Sequence, residues 1–206
     1  MKRHLRWIIG ILLIGSGLFF LTSSIWKENI ASSTSEYVIE HMELQDEIEV
    51  EASYNFASVT PLSLADVLQA RNRFHHLPTI GVISIPDVSL ELPVIKGLDD
   101  ESLAVGAGTM HPDQQMGKGN YALAGHYLQH ADALFGPLHK VDVGMKIYLR
   151  DAAHTYEYIV TSLETVSPEQ VDVLDETATP TLTLITCTFD TTERLIVKGS
   201  LVTTES

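Results

Sequence analysis

Hydrophobic and polar positions divide the chain into one long apolar stretch at the start and a series of short alternating runs further on. From Trp7 to Trp26 (WIIGILLIGSGLFFLTSSIW) twenty residues pass without a charge. As a helix rising about 1.5 Å per residue they span roughly 30 Å, the thickness of a bilayer's hydrocarbon core. Lys2, Arg3 and Arg6 precede the run, while Lys27 and Glu28 follow it and cancel. This asymmetry predicts a transmembrane anchor over 7–26, a cytoplasmic tail over 1–6, and export of everything beyond. A cleaved signal peptide is the competing reading; the length of the run and the absence of an A-x-A site weigh against it.

Residues 28–51 then carry eight acids (Glu28, Glu36, Glu40, Glu43, Asp46, Glu47, Glu49 and Glu51) and no lysine or arginine, which predicts a solvated, partly helical stalk over 27–59. Thr60-Pro61 has the form of a helix start, with Leu64, Val67, Leu68 and Arg71 along one side. From Ile80 the period changes to two. Strands are predicted near 80–85, 90–95, 120–125, 145–150, 154–161, 181–187 and 194–202, with helical turns near Glu101–Val105, Asp132–Leu138 and Glu169–Leu174. Gly106-Ala107-Gly108 lacks the rest of any phosphate-binding fingerprint and is taken as a turn. Many short strands without long crossover helices predict an all-β fold, a closed and largely antiparallel barrel occupying 60–206.

Composition narrows the partners. Setting aside the three basic residues ahead of the apolar run leaves 10 Lys and Arg against 27 Asp and Glu, a net of −17, which repels nucleic acid. The single cysteine excludes an internal disulfide and any multi-cysteine metal site. An unpaired thiol is unusual in an oxidising compartment, and a catalytic role explains it.

Strand alternation gives that thiol a face. Leu182, Leu184 and Thr186 point one way; Thr183, Ile185 and Cys187 point the other. The leucines read as core, so Ile185 and Cys187 share an outward, groove-facing side. The same alternation sets Ala124 beside His126, opposite Leu123, and Arg194 beside Ile196, opposite Leu195 and Val197. Taken singly, each of these residues has a bland structural reading as a loop histidine, a filler thiol or a solvated cation.

Together they match a family. TLITC (Thr183–Cys187), NYALAGH (Asn120–His126) and Glu193-Arg194 resemble the sortases, the cell-wall transpeptidases of Gram-positive bacteria, and the flanking IGVISIPDVSLELPVIKG, GAGTM and FGPLHKVDVGMKIYL agree. The likeness runs from about Leu77 to Leu201 and is of class A type, with an N-terminal anchor and no C-terminal apolar tail. It implies an eight-stranded sortase-like β-barrel and a cysteine transpeptidase with Cys187 as nucleophile, His126 as acid and base, and Arg194 as stabiliser of the oxyanion or holder of substrate. It further implies Ala124, Ile185, Thr186, Leu98 and Met110 as substrate-groove residues. The implied partners are secreted proteins bearing an LPXTG-type signal, cleaved between Thr and Gly, and the amine of a lipid-linked peptidoglycan precursor as acceptor. The domain is then expected outside a single-pass plasma-membrane protein. No cofactor is expected. Some class A members bind calcium through acids ahead of the histidine, but the segment HPDQQMGKGN offers only Asp113, so no metal is expected. Two other classes of activity stay open on residues alone: a cell-wall cysteine peptidase that transfers to water, and a non-catalytic wall-binding domain.

Overall fold

A computed structural model describes residues 2–42, 44, 52–54, 59–128, 133–188 and 191–205. Eight strands close into a barrel: β1 (Thr79–Ile85), β2 (Leu90–Ile95), β3 (Ala107–Thr109), β4 (Asn120–Ala124), β5 (Lys146–Arg150), β6 (Thr155–Val166), β7 (Thr181–Cys187) and β8 (Arg194–Glu205). Their order around the barrel is β1-β2-β3-β4-β7-β8-β6-β5, and β5 pairs back onto β1. The period-two pattern explains how these segments close. Ile83, Ile85, Leu90, Leu92, Tyr121, Leu123, Ile147, Leu149, Tyr158, Leu182, Leu184, Leu195 and Val197 all point into one interior cluster, and closure leaves no long unpaired edge. The expected eight-stranded barrel is therefore the observed one. Most pairings are antiparallel, but β2 with β3 and β4 with β7 run parallel.

Three local expectations change. The stretch read as a turn at Gly106-Ala107-Gly108 supplies β3, paired with β2 through Val94↔Ala107 and Ile95↔Gly108. Three residues are too few for any periodicity to show. Its glycines answer to crowding rather than to turning, since a Cβ on Gly108 would lie 2.3 Å from the carbonyl oxygen of Gly97. The helix expected from Thr60 begins instead at Leu64 and runs to Arg73 as α2. Ser63 caps it through a reciprocal pair with Asp66, which satisfies two otherwise unpaired amides. Thr60 meanwhile bonds to the Asp100 carboxylate through both its amide and its hydroxyl, at 3.3 and 2.9 Å. Leu68, expected on the inner side of this helix, is 46% exposed, and the buried side is formed by Val67 and Ala70.

The third change concerns the stalk. A single helix α1 covers Lys2–His41, so the helical path continues well beyond Trp26. Its Ala31 and Val38 are fully buried against Val67, Ala70, Phe74, Leu77 and Ile95. The Tyr37 ring meets Phe74 edge-on at 5.1 Å, and the Arg71 guanidinium lies 5.3 Å above Tyr37. Small and β-branched residues on one side of an otherwise polar segment let the helix dock on the barrel; burying a valine is worth about 1.5–3 kcal/mol. Glu43, Asp46, Glu47, Glu49 and Glu51 of the acidic run lie outside the described residues. Among the described residues no helix is long and apolar enough to cross a membrane.

Candidate active site

The side of β4, β7 and β8 that faces away from the barrel interior forms a second apolar surface. Ala122, Ala124, Ile185 and Ile196 sit there, joined by Leu98, Leu103, Met110, Val166 and Val173. All nine are at most 7% exposed, and Val59 and Leu174 pack against them. Alternation on each strand assigns its residues to this surface, and the pairings Ala124↔Ile185 and Ile185↔Ile196 align them across three strands. Of the five residues expected in the substrate groove, Leu98, Met110, Ala124 and Ile185 meet in this cluster. Thr186 does not: it is 1% exposed, lies opposite Leu195, and donates its hydroxyl to the Gly125 carbonyl at 2.9 Å.

Two of the chemistry-bearing residues meet where β7 gives way to β8. Cys187 is the last residue of β7 and stands directly opposite Arg194, the first of β8. Opposed residues of an antiparallel pair have Cα atoms about 5 Å apart. The connection folds back tightly, with the Thr188 amide donating to the Glu193 carbonyl at 3.1 Å and the Thr191 amide to the Thr188 carbonyl at 2.9 Å. Arg194 Nη1 donates to the carbonyls of Thr191 and Glu193, at 3.4 and 3.1 Å.

His126 arrives from the other neighbour of β7. The parallel ladder pairs Ala124 with Ile185, and the Gly125 amide donates to the Ile185 carbonyl at 3.1 Å. The paired register stops there, with His126 two residues beyond the end of β4 and Cys187 two residues beyond Ile185 on β7. Gly125 has no room for a side chain, because a Cβ would lie 2.7 Å from a ring carbon of the fully buried Phe135. Phe135 in turn donates its amide to the His126 carbonyl at 3.0 Å. Burial pushes the His126 imidazole below its ordinary pKa, and the carboxylates of Asp100 and Asp66 oppose this more weakly. The ring is therefore mainly neutral at pH 7, able to accept a proton from a thiol.

Residues 83–202 match the family model described as the sortase domain. The chain belongs to the sortase family. It is 40% identical to the sortase A of Streptococcus agalactiae over 95% of this chain and 84% of that one. It is 38% identical to the sortase A of Listeria monocytogenes, over 98% and 93%. The solved structure of Listeria monocytogenes sortase A superimposes with a TM-score of 0.60 at 46% identity, covering 62% of this chain and 89% of that one. These likenesses put the chain in class A, and with it comes cysteine transpeptidation that anchors surface proteins to the cell wall.

Some residues at this site were not singled out from the sequence. Val59 reaches the apolar surface from ahead of α2, and Leu103, Val166 and Val173 complete it. Asn120 holds the loop after β6 in place: its side-chain amide donates to the carbonyls of Val173 and Asp175, and its oxygen accepts from Thr183. His139 lies 48 positions from Cys187 in sequence, yet its Nε2 is 3.3 Å from the Cys187 carbonyl oxygen. Nine histidines give no local signal that would pick this one out. Asn120, by contrast, carries a signal, since a polar residue opening an apolar strand needs partners if it is buried.

Proposed function

We propose that Cys187, His126 and Arg194 carry out the transpeptidation, with an LPXTG-type sorting signal as substrate. The observation that supports this most is Cys187 opposite Arg194 across β7 and β8, with His126 two residues beyond the end of the neighbouring β4. A thiol needs its proton removed to react, and His126 takes it as general base. The Cys187 sulfur attacks the Thr carbonyl carbon, and negative charge develops on the carbonyl oxygen beside the Arg194 guanidinium. As the Thr–Gly bond breaks, protonated His126 passes its proton to the leaving glycine amine, leaving a thioester on Cys187. An amine, which we assign to the lipid-linked peptidoglycan precursor, then attacks the thioester. His126 removes its proton and Cys187 departs as the leaving group.

The cluster of Leu98, Met110, Ala124 and Ile185 suits the apolar Leu-Pro part of the signal, and its Ile185 lies two residues before Cys187 on β7. We assign residues 7–26 as the membrane anchor, with the N-terminus cytoplasmic and the barrel outside. The uncharged sequence supports this, as does the exposure of Trp7, Ile11, Leu12, Leu13 and Ile14 along α1, all between 66% and 74%. Mass spectrometry of the full chain incubated with an LPXTG peptide tests the chemistry. A thioester mass on the Cys187 peptide is expected, with none in Cys187→Ala. Cleavage that persists in a folded Cys187→Ala chain would overturn the assignment. Product formed only with water, whatever amine is supplied, would make the enzyme a peptidase instead.

A further inference from the structure

The segment between β4 and β5 returns to the site it leaves. After His126 the chain passes Tyr127, which bridges to Leu134. It then enters a 3-10 turn over Gly136–Lys140, whose Pro137 and Leu138 are buried. Leu138 belongs to the barrel's interior cluster and is fully inaccessible, so the turn is fixed in place. His139, next in sequence, points the other way and stays exposed. It touches two things. Its ring packs on Tyr127 with centroids 4.5 Å apart at 54°, and its Nε2 reaches the Cys187 carbonyl oxygen at 3.3 Å. That carbonyl belongs to the last residue of β7, where the ladder gives way to the β7–β8 loop.

One side chain thus links the Tyr127 ring to the Cys187 backbone, next to the two residues whose separation matters during catalysis. Tyr127 is bonded directly to His126, and Cys187 is the proposed nucleophile. A Cys–imidazole pair works only within hydrogen-bond reach, and a displacement of about 1 Å can cost about 100-fold in rate. Near the end of β7 these backbones are also joined by the Gly125 amide to the Ile185 carbonyl and by the Thr186 hydroxyl to the Gly125 carbonyl. His139 adds an exposed tie at Cys187 itself, the last residue of β7.

We propose that His139 is a positioning residue for the transpeptidation: by donating from Nε2 to the Cys187 carbonyl while its ring packs at a tilt on Tyr127, it sets the spacing of the Cys187–His126 pair. This rests on the assignment of those two residues above. Because the donor is needed and the charge is not, the role survives in any side chain that keeps an N–H at that reach. Glutamine does so; leucine fills the space without a donor.

The test is steady-state cleavage of an LPXTG peptide by the full chain in detergent micelles, comparing wild type, His139→Leu and His139→Gln. Their thermal midpoints are measured alongside, and thioester formation on Cys187 is followed by mass spectrometry. His139→Leu is expected to lower kcat five- to tenfold with KM within twofold of wild type, and to slow thioester formation in parallel. His139→Gln is expected to recover at least half of the lost rate. A kcat for His139→Leu within twofold of wild type would overturn the proposal. So would a His139→Gln chain as slow as His139→Leu, or a loss confined to KM. Failure of the wild-type chain to form any thioester would instead count against the assignment of Cys187, which keeps the two outcomes apart.

Discussion

Replacing Asn120 with alanine tests how the wall of the substrate surface is held. Asn120 is 6% exposed at the start of β4, and its side chain makes three hydrogen bonds. Nδ2 donates to the carbonyls of Val173 and Asp175, both at 3.0 Å, and Oδ1 accepts from Thr183 Oγ1 at 2.6 Å. Each bond contributes about 1 kcal/mol net. Truncation also strands the Thr183 hydroxyl, which is fully buried, and an unpaired buried hydroxyl costs about 1–3 kcal/mol. Counting the two loop bonds together with the stranded hydroxyl, the loss for Asn120→Ala is about 3–5 kcal/mol. For a chain of this size that lowers the thermal midpoint by roughly 10 °C. Thr183→Val leaves the two bonds to the loop but strands the buried Asn120 Oδ1, so it should cost about 1–3 kcal/mol. The functional readout differs from the stability readout. The two loop bonds hold the turn Asp172–Leu174, and Val173 from that turn belongs to the apolar cluster that includes Ile185 and Ala124. Loosening it should raise KM for an LPXTG peptide severalfold at temperatures where the variant is still folded, with kcat changed less. Urea unfolding followed by circular dichroism, with the double variant to isolate the Asn120–Thr183 coupling, measures the first quantity. Peptide kinetics measures the second. A stability loss under 1 kcal/mol, or an unchanged KM with a fallen kcat, would refute the reasoning.

The remaining predictions concern the proposed catalytic residues. Burial lowers the His126 pKa, so its imidazole should titrate below 6.5, read by NMR of ring protons in a Cys187→Ala chain. Protonation is then disfavoured in the folded state, so its contribution makes stability fall as pH drops through 6.5 toward that lower pKa; a titration at or above 6.5 would contradict this. Arg194→Ala should reduce kcat by about two orders of magnitude, the typical loss of one oxyanion donor of about 3 kcal/mol, with a smaller change in KM. Arg194→Lys keeps the charge without the planar fork and should remain well below wild type; a change under fivefold in kcat/KM for Arg194→Ala would reduce the residue to a loop-binding role. Gly125→Ala drives a Cβ to 2.7 Å from the Phe135 ring, and overpacking of this kind costs about 1–3 kcal/mol. Because Phe135 bonds to the His126 carbonyl, kcat/KM should fall more than tenfold even at temperatures where the variant is fully folded. Full activity in that variant would show that the Gly125–Phe135 contact does not fix His126.

The parts legible in the sequence were those in which neighbouring residues decide the outcome. Alternation alone separated Leu182 and Leu184 from Ile185 and Cys187, and Leu195 and Val197 from Arg194 and Ile196. The barrel keeps both sets as read, because a strand's pleat fixes which side chains share a face. The match of TLITC and NYALAGH to a known family supplied the fold and the candidate triad before any geometry. What the tertiary structure decided depends on residues far apart in the chain. The three residues of β3 have no pattern of their own and become a strand only because β2 and β4 lie on either side of them. The acidic run looked like free stalk because charge dominates its composition, whereas Ala31 and Val38 show their purpose only against α2 and β2. Ser63 displaced Thr60 as the helix cap through a reciprocal bond with Asp66, and Thr60 was taken instead by Asp100, 40 residues away. Thr186 carried no sign that its hydroxyl would serve the backbone of Gly125. His139 reaches Cys187 only because a buried turn carries it there, and no local pattern encodes a contact across 48 residues. Local periodicity sets which face each side chain occupies; closure of the barrel sets which faces meet, since strand order and parallel register come from long-range pairing.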